Sequence, residues 1–125
     1  MVRILYLEDS EEERQAVSRA LERAGHEVES TNTVAKAITL VRGGTFDVLI
    51  TDHLLITDPL SGAKGPSGIS VAREAREHVR QIFLLTALEI ESFPDRDRKE
   101  MEKIGIEVVT KCGSTSMVDY ILNRI

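Results

Sequence analysis

Tryptophan is absent from this 125-residue chain, and cysteine occurs once, at Cys112. A single thiol cannot close an internal disulfide, which fits a reducing compartment. No apolar run approaches the roughly 20 residues of a membrane-spanning helix. The opening run Val2-Arg3-Ile4-Leu5-Tyr6-Leu7 meets acid at Glu8, too early for a signal-peptide core. Nor is there a basic run: lysine and arginine are scattered and the formal charge is -5. Binding to a phosphate backbone needs concentrated positive charge, so direct nucleic-acid binding is not expected. Internal repeats, low-complexity tracts and interdomain linkers are missing as well. These absences argue against secretion and membrane insertion, so a cytoplasmic protein is expected, of a length that suits a single domain over residues 1–125.

What is present is 42% hydrophobic and 30% charged residues, the composition of a globular chain whose fold comes from apolar patterning. Val2 to Leu7 reads as a first strand, closed by Glu8-Asp9. Ser10 and Glu13 match a capping box, and Ala16, Val17, Ala20, Leu21 and Ala24 form one helical stripe ending at Gly25. A weaker strand, Glu27 to Thr31, precedes a helix carrying Val34, Ala37, Ile38 and Val41, which stops at Gly43-Gly44. The consecutive Val48-Leu49-Ile50 suits a central parallel strand buried on both faces, and it delivers Asp52 at its end.

His53 to Ser67 holds two prolines and two glycines and reads as a loop. A helix from Ser67 or Gly68 follows, with Ile69, Ala72, Ala75 and Val79 toward the core. Ile82 to Leu85 is a fourth strand ending at Thr86, and Asp95 to Ile104 a poorly amphipathic helix stopped by Gly105. Ile106 to Thr110 is a fifth strand ending at Lys111. Met117, Val118, Ile121, Leu122 and Ile125 line a last helix. Five βα units predict an α/β fold, a doubly wound five-stranded parallel sheet in the flavodoxin-like order 2-1-3-4-5.

Glu8, Asp9, Asp52, Thr86 and Lys111 all fall just beyond the carboxyl ends of predicted strands, the edge where open α/β sheets bind ligands. Any one polar residue there is explained by a chain leaving a sheet through a polar turn, and Glu8 and Asp9 alone could simply face the dipole of the first helix. Jointly they make a pattern. Three crowded carboxylates repel unless a cation binds, and a hard, oxygen-seeking ion such as Mg²⁺ suits them. A carboxylate is also a nucleophile toward phosphorus when metal and lysine offset the charge, which makes Asp52 the candidate phosphoacceptor. Thr86 offers a hydroxyl and Lys111 a point charge to phosphoryl oxygens.

Leu5-Tyr6-Leu7-Glu8-Asp9-Ser10, Val48-Leu49-Ile50-Thr51-Asp52, Leu84-Leu85-Thr86-Ala87 and Val109-Thr110-Lys111 together resemble the receiver domain of two-component response regulators, across nearly the whole chain. The resemblance implies that Glu8, Asp9, Asp52 and the backbone carbonyl of Leu54 hold Mg²⁺. It implies that a histidine kinase or phosphotransfer protein phosphorylates Asp52, and that Thr86, the Ala87 backbone amide and Lys111 respond to the phosphoryl group. The expected product is a changed affinity for a downstream protein, unidentified by sequence, with a phosphorylation-dependent homodimer left open. Such a chain is a phosphoacceptor that catalyses its own phosphorylation rather than an enzyme.

Four departures from the family pattern stand out. Cys112 occupies the place of a usual proline, and Val108 that of a usual aromatic switch residue, which shifts the expected output to the surface between the fourth and fifth strands. The 53–67 loop is about twice the usual length, and is read first as a tolerated surface insertion, because loop-closure entropy grows slowly with length. Leu54 and Leu88, at positions that influence access of water, are both apolar, so self-dephosphorylation is expected to be slow. His53, His26 and His78 are expected to be bystanders. Two other functions compete: a pseudo-receiver acting as a phosphorylation-independent interaction module, motivated by Cys112 and Val108, and a magnesium-dependent phosphohydrolase, disfavoured because Leu54 stands where its partner acid belongs.

Overall fold

A computed structural model describes residues 1–52, 67–87, 91, 93–111 and 114–125, with side chains described for all of these but 67–70 and 114–115. Strands and helices alternate: β1 (Arg3–Leu7), α1 (Glu11–Arg23), β2 (Glu27–Thr31), α2 (Val34–Gly43), β3 (Val48–Asp52), α3 (Ser67–Ala75), β4 (Gln81–Thr86), α4 (Asp95–Ile104), β5 (Ile106–Thr110) and α5 (Ser114–Leu122). The strands form one sheet in the order β2-β1-β3-β4-β5, and every neighbouring pair is parallel. This is the doubly wound α/β fold expected from five βα units.

Strand position explains strand composition. β3 lies in the middle of the sheet, and all five of its residues are buried, as a strand covered on both faces requires. β2 lies at the edge, and of Glu27–Thr31 only Thr31 is buried. Alternation along the inner strands sends Ile4, Tyr6, Ile50, Phe83 and Leu85 to one face, where Val17 and Leu21 of α1 and Met117, Val118 and Ile121 of α5 cover them. Leu5, Leu7 and Leu49 point to the other face, against Val34, Ala37 and Val41 of α2 and Val71, Ala72 and Ala75 of α3. On that second side α4 closes over Leu84 with Met101, joined by Phe93 from the segment before it.

Several element details differ from the sequence-based expectation. The stripe on α1 is narrower, because Ala16 and Ala24 are exposed and the packing falls to Val17, Ala20 and Leu21. α3 ends at Ala75, and the amides of His78 and Val79 bond back to its carbonyl, so Val79 reaches the core from a turn and not from the helix. Gly44 does not cap α2 in the left-handed conformation; it is extended at φ -110°. A glycine is still needed there, because a Cβ would lie 2.6 Å from Phe46 Cε2 and 2.8 Å from the Leu40 carbonyl oxygen. Gly105 does end α4 in the left-handed region, at φ 83°. His53, Leu54, Leu88 and Cys112, and all of the 53–67 loop except Ser67, lie outside the described residues.

Candidate functional site

Strand register assembles the site. Leu7 pairs with Thr51, which sets Glu8 beside Asp52 where β1 and β3 end. Asp52 pairs with Leu85, placing Thr86 one step beyond it on β4. Thr86 in turn pairs with Thr110, and the Lys111 amide donates to the Thr86 carbonyl at 2.7 Å as β5 runs out. Four residues far apart in sequence, Glu8, Asp52, Thr86 and Lys111, therefore meet at the carboxyl edge of β1, β3, β4 and β5 because the sheet is parallel and in register.

One carboxylate oxygen each of Glu8, Asp9 and Asp52 lies within 4.8 Å of the others. Glu8 is 1% exposed and Asp52 8% exposed, while Asp9 is half-buried. Lys111 is partly buried and reaches into this cluster, with Nζ 3.1 Å from Asp52 Oδ1 and 3.3 Å from Glu8 Oε1. Thr86 is buried at the same edge, and Ala87 beyond it is exposed.

Two residues of the site were not anticipated from sequence. Glu13 had a place only as the distal half of a capping box, and Ser10 does cap α1, accepting from the Glu13 amide. The Glu13 carboxylate is turned instead toward Lys111 Nζ, at 3.4 Å. The Ser10 amide is taken by Glu8 Oε2 at 3.1 Å. Arg14 donates from Nη1 to the Glu8 backbone carbonyl at 2.9 Å, fixing the turn that carries both acids. The available signal was positional, since the first turn of α1 follows the β1 acids directly.

Charge and burial set the protonation chemistry. Burial, joined by the neighbouring Asp9 and the charge of Asp52, pushes the Glu8 carboxyl up to about 8, against the pull of the Ser10 amide and Lys111. Asp52 is also raised, by burial first and by Asp9 and Glu13 next, against the attraction of Lys111. Burial alone would lower Lys111, but Asp52, Glu8 and Glu13 outweigh it and raise its pKa. Beneath them the buried Tyr6 phenol is raised by burial and by the charges of Glu8, Glu13 and Asp52. Three carboxylates, Glu8, Glu13 and Asp52, thus face one ammonium group, a fourth, Asp9, lies beside Glu8 and Asp52, and the donor set is all oxygen. A divalent hard cation fits that set on both counts: it relieves the repulsion and is matched by oxygen ligands. Glu8, Asp9 and Asp52 would hold it; Leu54 lies outside the described residues.

No protein-family model and no curated protein sequence matches the chain. Solved structures do. The chemotaxis response regulator CheY4 of Vibrio cholerae superposes with a TM-score of 0.73 at 22% identity, over 99% of this chain and 98% of that one. The fold is that of a response-regulator receiver domain. The response regulator TrrA of Thermotoga maritima, solved with Mg²⁺ and BeF, matches this receiver fold over 100% of both chains with a TM-score of 0.73 and 20% identity. A response regulator from Burkholderia pseudomallei, with a phosphorylated aspartic acid, a calcium ion and citrate, matches at a TM-score of 0.76 and 20% identity. There the likeness covers 98% of this chain and 65% of the longer one. Among the described residues no helix is long and apolar enough to cross a membrane.

Proposed function

We propose that the chain is the phosphoacceptor domain of a two-component or phosphorelay system, phosphorylated on Asp52 in a Mg²⁺-dependent reaction. The observation that carries this reading is the meeting of three carboxylates within 4.8 Å with an ammonium group 3.1 Å from one of them. The relatives of the same fold add support, since one was solved with a phosphorylated aspartic acid and another with Mg²⁺ and BeF.

In this reading a carboxylate oxygen of Asp52 attacks the phosphorus of a phosphohistidine on a histidine kinase or phosphotransfer protein. The P–N bond breaks, its electron pair stays on the imidazole nitrogen, and an aspartyl phosphate forms. A bound magnesium ion would supply neutralising charge to the phosphoryl oxygens and to the carboxylates of Glu8, Asp9 and Asp52. Lys111 exchanges its contact with Asp52 Oδ1 for a phosphoryl oxygen, to which it is a point charge on a flexible stem. The Thr86 hydroxyl and the Ala87 amide, at the end of β4, donate to the remaining oxygens. Release of Lys111 from Glu8 and Glu13 loosens the ties between β5 and the first turn of α1, which links the chemistry to partner binding.

The domain is a self-phosphorylating acceptor rather than an enzyme acting on a separate product. Its hydrolysis is slow because neither Leu54 nor Leu88 has a group able to orient a water. A cytoplasmic setting follows from the donor chemistry and the single thiol. The direct test is titration of the ¹⁵N-labelled protein with Mg²⁺ and then beryllofluoride, a phosphoryl mimic. The expected result is Mg²⁺-dependent shifts at Asp9 and Asp52, followed by slow-exchange shifts at Thr86, Ala87 and Lys111 on adding the mimic. Spectra unmoved by both additions would overturn the reading.

A further inference from the structure

The cations that look scattered along the sequence are partly collected by the fold. A groove of about 610 Å³ lies between α3 and α4. Arg73 and Arg76 enter it from the end of α3 and the turn behind it, and Arg96, Lys99 and Lys103 from α4. The last three recur at helical spacing on one face. Three glutamates share the groove, but Glu100 is paired with Arg73, and Glu74 with Arg42 of α2. Among the described residues none of Arg76, Arg96, Lys99 and Lys103 has a carboxylate partner, and all four are exposed. Only Glu77 offsets them, on a chain whose formal charge is -5. Half-buried Ile104 gives the groove an apolar point.

We infer that this groove docks an acidic segment of another protein, one that presents aspartates and glutamates to Arg76, Arg96, Lys99 and Lys103 and an apolar side chain to Ile104. Charge complementarity selects that occupant. Against an acidic chain, a local excess of unpaired cations steers negatively charged partners to one place. A nucleic acid suits it less well: among the described lining residues only His78 carries a ring, with no Phe, Tyr or Trp beside it to make a platform for successive bases. A second copy offering the exposed Glu11 and Glu12 of α1 would make a head-to-tail contact, which ends in a closed assembly only where the rotation between copies completes a ring. The groove shares no residue with the carboxylate cluster, and its docking role does not depend on phosphoryl acceptance.

The test uses the full chain and a fluorescent synthetic helical peptide with glutamates along one face beside a leucine, followed by anisotropy and by ¹⁵N spectra, without Mg²⁺ or phosphodonor. Binding is expected to weaken with salt and to shift signals in 73–77 and 96–104. Arg96→Glu/Lys99→Glu/Lys103→Glu is expected to weaken it by at least about tenfold. Arg76→Glu, a single exposed change, keeps the test valid if the triple variant does not fold. Unchanged affinity in the variants would overturn the inference. So would a single-stranded oligonucleotide of equal charge binding as tightly through the same residues, or sedimentation showing that copies of the chain occupy the groove themselves.

Discussion

Glu8 is the residue on which the site's energetics turn. Its carboxyl is buried, and the fold favours the protonated form, raising the pKa from 4.5 to about 8. The contribution of this group to stability is therefore fully present below pH 4.5 and is lost as the pH rises through about 8. Asp52 is displaced in the same direction. The metal-free protein is expected to lose melting temperature across that interval. Mg²⁺ is expected to restore more at pH 8 than at pH 5, because the metal takes the deprotonated carboxylates. Glu8→Gln should flatten the metal-free slope and remove most of the Mg²⁺ increment; calorimetric melts in Mg²⁺ and in EDTA across this range check both. An unaltered slope in Glu8→Gln would place the repulsion elsewhere. At this scale the sequence carried Glu8, Asp9, Asp52, Thr86 and Lys111, because each follows an apolar run that identifies its strand. Glu13 and Arg14 escaped because a side chain near a helix start has a local explanation ready, and only the three-dimensional structure shows Glu13 turned to Lys111.

Elements differ in how firmly they are held. The paired glycines at the end of α2 make a controlled comparison. A Cβ on Gly43 meets nothing within 4 Å, whereas one on Gly44 meets Phe46 and the Leu40 carbonyl below 3 Å. Gly43→Ala is expected to stabilise by about 0.5 kcal/mol, through reduced freedom of the unfolded chain and better helix propensity. Gly44→Ala is expected to destabilise by roughly 1–3 kcal/mol, since Phe46 is buried and must shift. Urea denaturation of both variants checks the sign and the order; equal effects would contradict the close approach at Gly44. β3 and β4 were the most legible elements because their apolar runs are uninterrupted. α4 was the least legible because it is strongly polar and buries only Met101 among its ten residues, so few apolar positions mark its core face. Val79 misled for a related reason: the helical spacing continues past Ala75, but the chain has already turned.

For the whole molecule, parallel order is what makes a function out of the strand ends. A sheet of order 2-1-3-4-5 puts β1, β3, β4 and β5 side by side with their carboxyl ends on one edge, so single polar residues that are individually unremarkable become a carboxylate cluster with a lysine set into it, the site on which the proposed function rests. The same assembly gathers Arg96, Lys99 and Lys103 with Arg76, a grouping invisible in the linear order because it depends on α3 and α4 being neighbours. Lys111 joins the two ends of the chain, linking Glu8 and Glu13 near the start to Asp52 in the middle; in the proposed function its reassignment on phosphorylation is the step by which chemistry would reach the surface. The most direct measurement is the intact mass after incubation with acetyl phosphate and Mg²⁺, on the native chain and on Asp52→Ala, with EDTA as control. A single phosphoryl adduct of about 80 Da that requires both Mg²⁺ and Asp52, and persists well beyond seconds, is the predicted result. An unmodified mass under all conditions, or an adduct retained by Asp52→Ala, would contradict it.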